Sequence, residues 1–219
     1  MKSPPQERLD SAVLNRFLAH CRTREVPARN MIIKVNELAD SLFYLLDGSV
    51  EVIIEDDAGR DMILAYLNQG HFFGELGFFD QNQATRSAWV RARSHCVVVE
   101  MSYEKFQQLT VDDPSLVVEI ATQIAVRLFS TDLKLGDLAF VDVTGRVAHA
   151  LLDLCNEPDA RAVEDGWEIH ITRPQLARLV GCSREMVCRV LKTLHSDGLI
   201  YDHNGGIVVR NRHYAADVA

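Results

Sequence analysis

The sequence predicts an α+β chain in three parts. A block of short strands forms a sandwich, jelly roll or barrel, a long helix follows, and a helix-turn-helix backed by a strand hairpin ends the chain. Three observations predict it. Between about residues 25 and 101, β-branched and aromatic runs alternate with turn signals. From about 114 to 139 the apolar period changes to alternating steps of three and four. From 172 to 194 a small residue, a glycine, a hydroxyl cap and apolar positions fall in the register of two crossing helices.

Length and composition bound the answer. A chain of 219 residues suits one large or two small domains with an ample core. No stretch approaches the roughly 20 uninterrupted apolar residues of a membrane span. The first residues, Met-Lys-Ser-Pro-Pro-Gln-Glu-Arg, carry no apolar signal-peptide core. A cytoplasmic protein is expected. The five cysteines (Cys21, Cys96, Cys155, Cys182, Cys188) are scattered and odd in number, which suits reduced thiols and no metal site. The eight histidines are dispersed with no nucleophile–base motif beside them, so an enzyme is not expected.

Along the chain, residues 9–20 read as a short helix. Strand-like runs follow at 31–35, 42–46, 50–54, 62–67, 88–92 and 97–101. Asp47-Gly48, Asp57-Ala58-Gly59, Asn68-Gln69-Gly70 and residues 81–83 supply the turns.

Residues 70–89 hold the chemistry of this block: Gly-His-Phe-Phe-Gly-Glu-Leu-Gly-Phe-Phe-Asp-Gln-Asn-Gln-Ala-Thr-Arg-Ser-Ala-Trp. Glycines let the backbone approach a ligand and offer its N–H groups to anionic oxygens. Arg86 supplies a fork of donors for a phosphate, with the Ser87 hydroxyl beside it. Glu75 can only accept, so it suits a sugar hydroxyl. The set fits a small ligand bearing a phosphate and hydroxyls. A glycine-rich hairpin with Arg86 paired to a surface acid would look the same.

In the long helix Ala121, Ile124, Leu128, Thr131, Leu135 and Leu138 form an a/d seam. A helix this regular between two domains is expected to pair with a copy of itself, although a helix packed on its own barrel would show the same stripe. Thr131 on that seam wants a partner from the other subunit or from a ligand. Residues 140–144 (Phe-Val-Asp-Val-Thr) read as a hinge, with Asp142 or Thr144 capping an amphipathic helix over 145–155. A polar loop (156–166) and a short strand (167–171) follow.

Then comes the strongest local signal. Thr172 is an N-cap and Pro174 sits in the first turn. Ala177 lets two helices cross, Gly181 allows the sharp turn, and Ser183 caps a second helix. Val187, Val190, Leu191 and Leu194 give that helix its buried face. Net charge is −8 overall, but Arg173, Arg178, Arg184, Arg189 and Lys192 face one acid, Glu185, in this segment. Local basicity is what a phosphate backbone needs. Arg184 and Arg189 can bond guanine bidentately, and Glu185 can accept from cytosine. Arg173 and Ser183 are placed for phosphate contacts, which position without specifying. Asn204-Gly205-Gly206 turns a hairpin that would serve as a wing.

These features together resemble the catabolite activator protein (cyclic AMP receptor protein) family of CRP/FNR transcription regulators. Near-continuous runs at 62–66, 67–70, 87–92, 138–146 and 180–185 carry the resemblance. It implies a cyclic-nucleotide-binding jelly-roll β-barrel over 1–113, a dimerisation helix over 114–139 and a hinge over 140–144. A winged helix-turn-helix DNA-binding domain over 145–219 completes the chain. It implies a homodimeric activator on a palindromic site of double-stranded DNA, with cyclic AMP as effector and RNA polymerase as partner. By similarity Gly74, Glu75 and Leu76 cradle the nucleotide, with Glu75 on the ribose 2′-hydroxyl. Arg86 and Ser87 hold the cyclic phosphate, and Thr131 meets the adenine from the dimer seam. Arg184, Glu185 and Arg189 read bases. Arg22, Arg24 and Lys105 match positions that touch the polymerase.

Three departures bear on the effector. Asp132 follows Thr131 where relatives carry a hydroxyl; an acid can accept from the adenine amino group but would repel a phosphate. Ala65 replaces a hydroxyl residue. The loop before Arg86 is one residue longer. Two alternatives stand beside the cyclic AMP reading: a ligand-independent regulator of the same family, and one that responds to cyclic di-GMP.

Overall fold

The structure is a computed structural model and describes residues 11–80 and 84–210. The predicted turn at 81–83 and the start of the predicted first helix lie outside the described residues. The chain divides into two compact units, one ending at Asp132 and the other running on from Leu133.

In the first unit α1 (Ser11–Ala19) leads into β1 (Arg22–Val26), β2 (Met31–Ile33), β3 (Ser41–Asp47), β4 (Ser49–Glu55), β5 (Asp61–Asn68) and β6 (Phe72–Phe73). A one-turn helix α2 (Leu76–Phe79) precedes β7 (Trp89–Ala92), β8 (Cys96–Ser102), α3 (Tyr103–Asp112) and α4 (Ser115–Phe140). The strands form two four-stranded antiparallel sheets, ordered β1-β8-β3-β6 and β2-β7-β4-β5. They pack face to face as a jelly roll. Phe43, Leu45, Phe73 and Val98 of the first sheet meet Ile33, Val50, Leu67 and Val90 of the second in a shared core.

Side-chain alternation on β3 builds two cores from one strand. Phe43 and Leu45 face the inter-sheet core. Leu42 and Tyr44 face a helical layer made by Val13 and Phe17 of α1, Phe106 of α3, and Leu116 and Ile120 of α4.

The second unit takes the last two turns of α4 and then α5 (Val143–Leu154), β9 (Arg161–Val163), β10 (Gly166–Ile169), α6 (Arg173–Val180), α7 (Arg184–Ser196), β11 (Ile200–His203) and β12 (Gly206–Arg210). The strands form one sheet, β11-β12-β10-β9. Helices α5, α6 and α7 pack on one another, and α7 packs on β11. Only Val141 and Asp142 lie between α4 and α5, and Asp142 caps α5 by accepting from the Gly145 amide at 2.8 Å.

Six elements differ from the sequence reading. β1 has four exposed residues out of five, so no alternation marks it. β6 is two residues long, and the glycine-rich stretch after it contains the helical turn α2. α3 buries Phe106 with Tyr103 and Leu109 partly buried one turn to either side, a stripe of three residues that the sequence reading did not assign. β9 falls inside the predicted 156–166 loop, because pairing with β10 orders a polar segment that has no apolar pattern of its own. The 167–171 strand is displaced by pairing register to Gly166–Ile169.

Candidate effector pocket and nucleic-acid interface

The first unit holds an open cleft lined by residues of both sheets and of α4. Its apolar wall is Ile33, Val52, Phe73 and Val90, and its polar wall is residues 74–77, 85–88 and Arg127. Gly74, Glu75, Leu76, Arg86 and Ser87 thus come together on one cleft, although Arg86 follows Gly74 by a dozen residues. Thr131 and Asp132 do not line it; both are exposed on α4.

Gly74 is required twice over. Its φ of +75° lies in the left-handed region, and a Cβ there would sit 2.9 Å from the Arg86 guanidinium. The Gly74 carbonyl accepts from Arg86 Nη1 at 2.8 Å and from the Tyr103 hydroxyl. Arg86 Nη2 donates to the Ser41 carbonyl at 2.7 Å and to its hydroxyl at 3.1 Å. Arg86 is therefore 93 % removed from solvent and already partnered, its guanidinium 5.7 Å from the centre of the Phe43 ring. Burial, opposed by the Arg86 charge, pushes the Tyr103 phenol above its ordinary range, so it stays a donor.

Glu75 is 2 % exposed. Its Oε1 lies 3.1 Å from Arg127 Nη2, an ion pair between the cassette and α4. The pair lacks hydrogen-bond geometry: Glu75 Oε2 and Arg127 Nη2 are both buried without a hydrogen bond. Two such atoms in one cleft are costly in a closed protein and suit a site that receives a polar ligand. A hydroxyl donor fits the carboxylate and an anionic oxygen fits the guanidinium. Arg127 escaped the sequence reading. The available signal was its place one helical turn before Thr131, on the same face of α4.

The second unit presents the other site. Thr172 and Gln175 form a reciprocal capping box at the start of α6, with the Thr172 amide donating to Gln175 at 3.0 Å. Gly181 ends α6 at φ +70°. Ser183 caps α7 by accepting from the Met186 amide at 3.2 Å. Leu176, Ala177, Val180, Val187, Val190, Leu191 and Leu194 are buried, as the periodicity predicts. This packing leaves Arg173, Ser183, Arg184, Glu185 and Arg189 exposed. Bonds from its own amide and from Ser183 hold the Glu185 carboxyl below its ordinary range, so it is ionised. Arg189 leans on the Met186 sulfur at 3.3 Å, which orders its long side chain along the helix. Arg22, Arg24 and Lys105 are exposed on β1 and α3.

Two family models match the chain: "Cyclic nucleotide-binding domain" over residues 23–113 and "Crp-like helix-turn-helix domain" over 145–214. The "cAMP-activated global transcriptional regulator Vfr" of Pseudomonas aeruginosa is 50 % identical over 90 % of this chain and 92 % of its own. The chain belongs to the CRP/FNR family. The "cAMP-activated global transcriptional regulator CRP" of Salmonella typhimurium is 49 % identical over 88 % of this chain and 91 % of its own. Among solved structures, the c-di-GMP responsive global regulator CLP of Xanthomonas campestris matches with a TM-score of 0.86 and 40 % identity, over 92 % of this chain and all of that one. The CRP/FNR chain described above is accordingly a DNA-binding transcription regulator and not an enzyme. No described helix is long and apolar enough to cross a membrane, and the described residues hold no cluster of three metal-ligating side chains.

Proposed function

We propose that the chain is a homodimeric regulator whose operator affinity is set by cyclic AMP bound in the 74–87 cleft. The observation that carries the reading is the buried pair of unsatisfied polar atoms, Glu75 Oε2 and Arg127 Nη2, on a cleft that also holds Arg86 and Ser87. Glu75 takes the ribose 2′-hydroxyl. Arg86 and Ser87 take the cyclic phosphate, with the backbone of Gly74 and Leu76 closing around it. Similarity to two regulators described as cAMP-activated supports this choice.

Dimerisation runs through the seam of α4, where Leu128, Leu135 and Leu138 are 59 %, 65 % and 40 % exposed in the single chain. Thr131 and Asp132, outside the cleft of their own chain, reach the nucleotide base bound by the partner. Ligand then shifts a population in which residues 140–144 act as the hinge between input and output. Two copies of α7 meet successive turns of a palindromic duplex. Arg184, Glu185 and Arg189 read bases, and Arg173 and Ser183 fix the backbone. Arg22, Arg24 and Lys105 offer a basic face to RNA polymerase, as an activator requires.

A second reading takes cyclic di-GMP as effector. Its motive is the CLP-like structure together with an Arg86 whose donors already serve Gly74 and Ser41. Titration calorimetry with cyclic AMP, cyclic GMP and cyclic di-GMP decides. Cyclic AMP binding one per chain, weakened in Arg86→Leu, supports the first reading. Heat from cyclic di-GMP alone overturns it.

A further inference from the structure

Gln123 is a buried polar residue on α4, 4 % exposed, and the buried face of that helix consists of Leu116, Ile120 and Gln123. Beyond it the helix presents exposed apolar side chains such as Leu128 and Leu135. Its side chain is fully engaged. Oε1 accepts from the Phe72 amide at 2.9 Å. Nε2 donates to the Gly70 carbonyl at 3.0 Å and to Glu119 at 2.9 Å. Residues 70 and 72 lead directly into Gly74 and Glu75. One turn along α4, Arg127 donates to the Gln123 carbonyl at 3.3 Å and pairs with Glu75.

The cassette strand is therefore tied to α4 at two points of different character. The Gln123 tie joins a neutral side chain to backbone groups that no cleft ligand can reach. The Glu75–Arg127 tie is ionic, lacks hydrogen-bond geometry and lies in the cleft. We infer that Gln123 is a positioning residue that fixes the cassette strand to α4 while the Glu75–Arg127 pair changes partners, so that events in the cleft move the helix beyond residue 127. A single exchangeable tie would let ligand bind with the helix uncoupled. A fixed point one turn away converts a change at Arg127 into a displacement of Thr131 and Asp132. This inference rests on the proposed effector role of the cleft for its second half only.

Amide hydrogen exchange on the full chain tests it, with Gln123→Met, which keeps the volume, and Gln123→Glu, which keeps the acceptor for Phe72 but loses both donors. Without ligand, Gln123→Met speeds exchange at residues 70–74 and 124–132 at least tenfold while β4 and β5 stay as in wild type. Gln123→Glu gives a smaller increase at the same residues. Unchanged exchange there in both variants overturns the fixed tie, whatever the effector proves to be. With cyclic AMP, the Met variant binds within threefold of wild type but loses the slowing of exchange at 131–140 that wild type shows. Slowing equal to wild type in that variant overturns the positioning role. Absence of cyclic AMP binding to wild type overturns the effector reading instead, and the ligand-free comparison still decides the tie.

Discussion

The cleft and the DNA-reading unit are built from opposite logic. In the second unit the special residues serve their own neighbourhood: Thr172 and Ser183 cap helices, Gly181 turns the chain, and Arg173, Arg184 and Arg189 stay exposed to solvent. In the cleft of the first, Arg86 and Glu75 are buried and already face partners. Arg86 is spent on Gly74 and Ser41, and Glu75 faces Arg127. A surface that meets a polyanion can wait in solvent, where its donors are hydrated. A pocket that must enclose a small polar ligand has to hold its charges in place beforehand, so it holds them against one another. On the proposed reading, exchange of those internal partners for ligand couples binding to conformation.

Substitutions that separate these two logics come first in expected size. Arg86→Leu lowers cyclic AMP affinity by about 100-fold or more, since a charge-assisted bond to a phosphate is worth about 1.5–3 kcal/mol and Arg86 can make two. The same variant also lowers the unfolding midpoint, because the Gly74 and Ser41 carbonyls lose a buried donor at a cost of about 1–3 kcal/mol. Calorimetry and thermal unfolding read the two effects separately. Loss of affinity with unchanged stability would show that the bonds from Arg86 to Gly74 and Ser41 add nothing to the fold.

Arg189→Ala costs about 1–3 kcal/mol of discrimination at one base pair of each half-site, with nucleotide affinity and thermal stability unchanged. Competition binding against single-base operator variants measures it. A uniform loss across all variants would reassign Arg189 to the phosphate backbone. Thr172→Ala removes the capping box of α6 and costs about 1 kcal/mol of stability in the second unit. Chemical denaturation detects that loss, and cyclic AMP affinity stays within error.

The smallest effect is on pH. Burial, opposed by the backbone bond to Asn68 and assisted by the Arg127 charge, holds the His71 imidazole below its ordinary value. The unfolded chain then takes up that proton first. The stabilisation is complete above the ordinary histidine value of about 6.5 and is lost as pH falls through it towards the lower folded value. His71→Gln flattens this slope in denaturation midpoints between neutral and mildly acidic buffer. An unchanged slope assigns the acid sensitivity to other groups.

The second unit was legible because its signals are local. A cap, a left-handed glycine and a buried face each act within four residues, so Thr172, Gly181 and Ser183 could be placed from spacing. The jelly roll was legible as a class for the same reason, through alternation on strands such as β3. Elements formed by pairing alone, β1, β6 and β9, left no such trace. The cleft was half legible. Residues 74–87 announce phosphate chemistry by type, but the inward turn of Arg86 depends on Ser41 and Tyr103, which come from β3 and the start of α3. Arg127 and Gln123 belong to a helix whose apolar seam drew attention to the residues beside them. Their role follows only from where α4 crosses residues 70–75.

If the cleft controls the DNA-reading unit, the sequences that bind must depend on the nucleotide. Selection of bound sequences from a random duplex pool, with and without cyclic AMP, reads that dependence. A palindrome with half-sites about one helical turn apart is expected with cyclic AMP and lost without it. Recovery of the same palindrome at the same affinity without nucleotide would contradict that control.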